Sequence, residues 1–403
     1  MSSGVAQLLT VGIQDADIVG NPQVSFFKQI YKRHTNFAIS LRSLSYTGRV
    51  STGAMSTIRI PHYGDMLGAV YIKWKAANGW YVRAQGYNVV DKVQLLIGGQ
   101  MIDEIDSKYI SILAADLEMD RSLQAGATIT GGSFTMQLPF WFCKPTNPLP
   151  LCAIKNQDVE IRIIWGNDLT YTVDGQFIIN PDRAYFEASE FQAVADFEFM
   201  ANYITLDRTE REYLQNVNDM HLLITQHQTN KASNTNVQTL TFSNPVKFIC
   251  AEGLRYSAVY QSDDTTDSLS RVTEVQNAWW DDSTKITLYI DGKPLSDPFA
   301  SQVVWSYISR YYHSKGSSLL HTGDDGSVDV GSWERIFLYP FCLETSSHQP
   351  TGALNFSRIQ KAYFKAELIQ PNTPRSPFYT DVYAVNYNIL RIKNGSAGIM
   401  YVN

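Results

Sequence analysis

The chain has 403 residues, of which 44% are hydrophobic, 12% aromatic and only 18% charged, and its net charge is −6. That length exceeds one ordinary core and fits two domains of roughly 200 residues each. The acidic balance excludes a protein whose main task is to wrap nucleic acid, and no specific nucleic-acid partner is expected; low charge with many aromatics suits a surface largely covered by neighbours.

The amino terminus, MSSGVAQLLTVGIQDADIVG, has no basic leader and soon meets Asp15 and Asp17, so it does not read as a secretory signal. No run reaches the 18 apolar residues of a membrane helix. Residues 20–38, GNPQVSFFKQIYKRHTNFA, open on a Gly-Asn-Pro turn and then place Lys28, Lys32, Arg33 and His34 together without an acid. Helical periodicity is scarce and is expected over 24–34, 107–120 and 299–312 as short excursions in loops.

Strand signals dominate the remainder. Residues 56–74 hold two extended runs around Tyr63-Gly64-Asp65, and 88–105 read as a hairpin turning at Gly98-Gly99. Residues 158–166 alternate Val159, Ile161 and Ile163 with Glu160 and Arg162, the period of a half-buried strand. Further strands are predicted over 191–206, 221–229, 237–242, 285–292, 333–341, 361–368 and 381–392. The charged stretch 204–216 interrupts the apolar runs and marks a boundary.

Two stretches recur. KVQLLIGGQMI (92–102) aligns with KITLYIDGKPL (285–295) at an offset of 193, matching Leu95 to Leu288, Ile97 to Ile290 and Gly99 to Gly292. Residues 138–161 align with 338–361 at an offset of 200, matching Pro150 to Pro350 and Ala153 to Ala353. Two matches in the same order indicate a duplicated β-domain. The predicted fold is all-β: two tandem eight-stranded antiparallel jelly rolls. The expected division is 1–36 as an amino-terminal foot, 37–207 as the first roll, 208–217 as a linker and 218–403 as the second roll.

Signatures of catalysis are lacking: the chain has no GxSxG, HExxH, GxxxxGK[ST] or GxGxxG. No catalytic residue, metal or cofactor is assigned. His221 and His227 read as unrelated histidines. Asp324, Asp325 and Asp329 fit a surface turn better than a calcium loop. Trp279-Trp280 reads as a core or interface pair, with sugar stacking as the competitor. Four scattered cysteines, Cys143, Cys152, Cys250 and Cys342, read as free thiols. The sequons at Asn355 and Asn394 read as accidental.

Several segments resemble those of a known family. They are Gln14-Asp15, Gly20-Asn21-Pro22-Gln23, Phe26-Phe27-Lys28, Tyr31, Arg33 and Thr35-Asn36-Phe37-Ala38, followed by Gly98-Gly99-Gln100 with Ile102-Asp103. The stretch from Pro139-Phe140 to Leu151, Leu206-Asp207 with Glu210-Arg211, Gln349-Pro350-Thr351-Gly352, Asn355-Phe356-Ser357-Arg358 and Asn386 to Arg391 complete them. In this order they resemble the major capsid proteins of large icosahedral nucleocytoplasmic DNA viruses, of the type found in algal viruses. The resemblance implies a double jelly roll, a homotrimer forming a pseudo-hexagonal capsomer, and a place in the virion after assembly in the host cytoplasm. It implies neighbouring capsomers, minor capsid proteins and penton proteins as partners. It also places the amino-terminal region at the inner base of the capsomer. Phe26, Phe27 and Tyr31 are then expected to pack under the first roll, with Lys28, Lys32 and Arg33 facing acidic minor capsid proteins or an anionic membrane. A minor capsid component of the same fold and a carbohydrate-binding tandem β-sandwich are the alternatives.

Overall fold

The computed structural model describes residues 33–50, 53–76, 90–106, 109–110, 133–166, 172–173, 176–177, 194–232, 235–252, 254–258, 272–276, 284–300, 313, 320–322, 328–330, 336–368 and 381–402, with Val5, Leu9, Asn21, Gln23 and Phe27. Internal contacts divide the chain into Met1–Asn36 and Phe37–Asn403. All the sheets lie in the second unit.

The strands that build the first roll are β1 (Phe37–Leu44), β2 (Tyr46–Gly48), β3 (Met55–Arg59), β4 (Met66–Ala76), β5 (Val90–Ile97), β6 (Gln100–Asp106), β7 (Ser133–Gln137), β8 (Val159–Trp165) and β9 (Val194–Leu206). They form two antiparallel sheets, in the orders β1-β9-β4-β7 and β2-β3-β8-β5-β6. Strands distant in sequence lie side by side, as in a jelly roll. The alternation in β8 decides its orientation: Val159, Ile161, Ile163 and Trp165 are buried, while Glu160, Arg162 and Ile164 are half-buried. Opposite them, β4 and β9 contribute Val70, Ile72, Phe199, Ala201 and Tyr203 to the same core. Trp165 satisfies its ring N–H inside this core by donating to Ser56 Oγ at 2.8 Å, as a buried indole requires.

The charged boundary is a helix, α1 (Arg208–Asn216). Asp207 stands at its N-cap, and Arg208 pairs with Glu212 one turn on, at 2.7 Å. Arg211 holds the helix to the β3–β4 turn through Asp65, 2.8 Å away, whose other oxygen accepts from the Leu206 amide.

The second set comprises β10 (Asp219–Asn230), β11 (Val237–Leu240), β12 (Pro245–Glu252), β13 (Thr284–Ile290), β14 (Lys293–Pro294), β15 (Ile336–Pro340), β16 (Ala362–Leu368), β17 (Val382–Lys393) and β18 (Ser396–Ile399). Its sheets run β10-β17-β12-β15, with β18 added to β17, and β11-β16-β13-β14. Apart from β2 and β18, which have no counterpart, this is the order of the first roll.

The repeats fall on equivalent elements. The β5–β6 and β13–β14 hairpins turn through residue pairs that are both left-handed: Gly98 at φ 57 and Gly99 at φ 80, Asp291 at φ 48 and Gly292 at φ 81. Such two-residue turns match the twist of the flanking strands. The second repeat is displaced by 203 residues rather than 200. β7 and β15 begin at 133 and 336, and β8 and β16 at 159 and 362. The proline match inside an irregular connection has no period to anchor its register, whereas strand starts do.

Of the expected helices, 24–34 lies almost wholly outside the described residues, as do 111–120 and 301–312. Phe299–Ala300 is strand rather than helix, because it pairs with Lys285 and Ile286 of β13. Trp279, Trp280, Asp324 and Asp325 also lie outside the described residues. Asp329 sits in a two-stranded ribbon, in register with His321.

Gly352 shows where the backbone admits no side chain. Its φ is 140, and a Cβ there would stand 2.6 Å from the Phe341 carbonyl oxygen, whereas a Cβ on Gly292 would meet nothing within 4 Å. Gly292→Ala is expected to cost about 1 kcal/mol for its left-handed backbone. Gly352→Ala is expected to cost about 2–4 kcal/mol, because backbone must also move. Urea denaturation of the two variants checks the order; equal losses would contradict it.

Candidate assembly interface

The largest buried surface between the two rolls is internal to the chain. Residues 382–388 of β17 are all buried, so its sheet is covered on both faces. Val382 and Ala384 join the second roll's own core with Ile249, Ile286, Phe337 and Phe364. Tyr383 and Val385, with Phe248 and Cys250 of β12, join the cluster that contains the first roll's core. Two buried amides on β17 are satisfied locally. Asn386 Oδ1 accepts from Gln228 at 2.8 Å, and Asn388 donates to Gln226 Oε1 at 2.7 Å and to the Tyr401 carbonyl at 2.8 Å.

β10 packs against β6 of the first roll. There, both oxygens of Asp103 are used by one residue: Oδ1 accepts from the His227 amide and Oδ2 from its ring Nδ1, each at 2.9 Å. Both side chains are sealed from solvent. The Tyr109 ring lies 4.8 Å from His227 and 5.5 Å from Tyr383, centre to centre. Below this cluster, the β17–β18 turn docks on the loop before β8. Asn156 donates its amide to Gly395 O at 3.0 Å and its side chain to Asn394 O at 2.9 Å, and Gln157 Oε1 accepts from Ala397 at 2.6 Å.

Two lysines bind the connection that follows β15. Lys144 of the first roll reaches Ser346 O at 3.1 Å, and the buried Lys247 of β12 reaches Ser347 O at 2.6 Å. Lys247 also stands over the Tyr387 ring, 5.7 Å from its centre, a contact that favours a cation. Burial pushes the Tyr387 hydroxyl up to about 12, so it stays neutral beside it.

The outward surfaces are apolar in places. β1 is an edge strand, and Phe37, Ile39 and Leu41 on one side of it are exposed. Ile39 lies opposite Ile204 of β9 in the pairing register. On the second roll, Leu295 and Leu343 are exposed. An open polar cleft of about 850 Å³ is lined by His62, Tyr63, Asp65, Lys155, Asp158 and Arg211 among others. Its carboxylates are already engaged, Asp65 with Arg211 and Asp158 with Arg59.

The residues singled out from sequence fare unequally. Lys28, Lys32, Phe26 and Tyr31 lie outside the described residues. Arg33 is exposed. Phe27 is exposed. His227 is a core residue and His221 a partly exposed neighbour of Asp219. None of the four cysteines forms a disulfide and all are buried, and burial pushes the Cys143 thiol up to about 12. Among the described residues, no group of three or more His, Cys, Asp and Glu stands together as a metal site, and no helix is long and apolar enough to cross a membrane. The sequence reading missed the Asp103–His227 pair, whose members lie 124 positions apart with no local signal joining them.

This architecture is that of the double jelly-roll viral capsid proteins. The PBCV-1 virus capsid, known as a quasi-atomic model, superposes with a TM-score of 0.71 at 21% identity, covering 94% of this chain and 100% of that one. The Faustovirus major capsid protein superposes at 0.60 and 12% identity, covering 98% and 94%. Two family descriptions divide the sequence: "Major capsid protein N-terminus" matches residues 25–207, and "Large eukaryotic DNA virus major capsid protein" matches 206–398. The major capsid protein of Pyramimonas orientalis virus is 26% identical over 432 residues, and that of Paramecium bursaria Chlorella virus 1 is 25% identical over 452, each along the whole of both chains. The chain belongs to the major capsid proteins of large eukaryotic DNA viruses.

Asp103→Ala is expected to cost about 2–4 kcal/mol, because it strands two buried donors of His227 between the rolls. Chemical denaturation against the parent measures it, and a loss within error of zero would show that the pair does not hold the rolls.

Proposed function

We propose that three copies of this chain form a ring that serves as one six-sided building block of an icosahedral virion shell. The observation that carries this reading is the repetition of one strand order in two rolls held together as one compact unit. A threefold ring of a two-roll subunit presents six similar domains, so it fills a hexagonal lattice while obeying threefold symmetry. The role is structural and non-catalytic. Neighbouring capsomers, minor capsid proteins and penton proteins are its partners in the virion, with assembly in the host cytoplasm. Contacts inside the ring are large and apolar, whereas contacts between rings are smaller and more polar, because many must form reversibly. Light scattering of the purified chain at micromolar concentration should give three times the chain mass. A monodisperse monomer would overturn the reading.

Residues 1–36 serve as a foot in this proposal. The cluster Lys28, Lys32 and Arg33 supplies positive charge on a chain that is acidic as a whole, and it faces acidic minor capsid proteins or an anionic membrane. Reversing all three to Glu should leave the trimer intact while lowering the yield of closed shells seen by electron microscopy. Shells formed in normal yield would remove the foot from the account.

A further inference from the structure

The β17–β18 turn carries chemistry that shell building does not use. Its two residues, Asn394 and Gly395, are one of two Asn-Gly pairs in the sequence; the other, Asn78-Gly79, lies outside the described residues. Both turn residues are left-handed, at φ 51 and φ 79, as a two-residue hairpin turn requires. Asn394 is exposed, so water reaches it. Asparagine before glycine is a reactive pair, because glycine has no side chain to obstruct attack by its own nitrogen.

The pair fixes the reaction. The Gly395 nitrogen attacks Asn394 Cγ and loses its proton. The new N–Cγ bond closes a cyclic imide, the Cγ–Nδ2 bond breaks, and the amide leaves as ammonia with that proton. Water then opens the ring. Opening at Cγ gives aspartate, and opening at the main-chain carbonyl gives isoaspartate. Water is the sole co-reactant, and nothing is oxidised or reduced.

The folded turn opposes this step. A left-handed asparagine sets the next nitrogen almost opposite Cβ, so the Cα–C bond of Asn394 must rotate by about half a turn before Gly395 N meets Cγ. That rotation carries the Asn394 carbonyl with it, and the first roll holds this carbonyl. Asn156, in the loop before β8, donates its side-chain amide to Asn394 O at 2.9 Å and its backbone amide to Gly395 O at 3.0 Å. Gln157 Oε1 accepts from the Ala397 amide beside the turn at 2.6 Å. The fit leaves no slack: a Cβ on Gly395 would stand 2.9 Å from Asn156 Nδ2.

We propose that Asn394-Gly395 is a site of spontaneous deamidation whose rate is set by the contact between the rolls. Docked rolls protect the asparagine, and parted rolls expose it to conversion into aspartate and isoaspartate. The conversion runs one way. Isoaspartate adds Cβ to the main chain of the turn, so the two carbonyls no longer fall where Asn156 meets them. A subunit that stays open is thereby marked, and its rolls lose the fit that held them.

The full chain is incubated in mildly alkaline buffer and digested, and the peptide carrying residue 394 is followed by mass spectrometry. Isoaspartate is assayed by its specific enzymatic methylation. Conversion in the native chain should run at least about 10-fold slower than in the same chain unfolded in urea. Asn156→Ala should raise the native rate by about 5-fold, the equivalent of one hydrogen bond. Asp103→Ala leaves the bonds of the turn in place but loosens the contact between the rolls, and it should raise the rate as well. A native rate equal to the unfolded one, or no conversion at 394 in either state, would overturn the site. A rise in Asn156→Ala without one in Asp103→Ala would put the gate in the turn alone and overturn the role of the rolls. The comparison of native with unfolded parent needs no substitution and holds even where a variant fails to fold.

Discussion

A β-sheet covered on both faces is the constraint from which the rest of this structure follows. In an antiparallel sandwich, one face of each sheet usually meets water. Here β17 meets the second roll's core through Val382 and Ala384, and the first roll's cluster through Tyr383 and Val385. A strand in that position cannot alternate apolar with charged residues. Its polar members, Asn386 and Asn388, are admitted only because Gln228, Gln226 and Tyr401 meet them. The rolls consequently share apolar packing and are not joined by α1 alone. A subunit built in this way holds its two domains at a fixed angle, the property a lattice needs from its parts.

The polar contacts between the rolls divide the labour. Apolar packing supplies most of the driving force but little direction. The Asp103–His227 pair, the Asn156 bonds to the β17–β18 turn and the Lys144 bond to Ser346 supply direction, because each is satisfied in one register only. Lys247 extends the same logic inside the second roll. Its ammonium is buried, yet a carbonyl and an aromatic face meet it.

Much of the fold was legible because strands announce themselves by period two. β8 and the β5–β6 and β13–β14 hairpins could be read from alternation and turn residues, and the repeat between those hairpins revealed the duplication. The irregular connections could not be read, since they have no period; hence the error of three residues in the second offset. The stretch at 204–216 read as a boundary, but its helix is marked by the Arg208–Glu212 spacing, a weaker signal than hydrophobic alternation. β1 shows a deeper limit. Phe37, Ile39 and Leu41 alternate as a core-facing strand should, yet they point outward. Sequence reveals that one side of a strand is apolar, but not whether its own fold or another chain covers it. The foot was legible only as a cluster of charge.

The state of the cysteines has a consequence for the subunit. Every thiol is buried, and none forms a disulfide. The apolar surroundings of Cys143 keep it protonated far above neutral pH, so little thiolate is available to react with an oxidant. The fold of each subunit is therefore held without disulfide bonds, and a change of redox potential leaves its packing untouched.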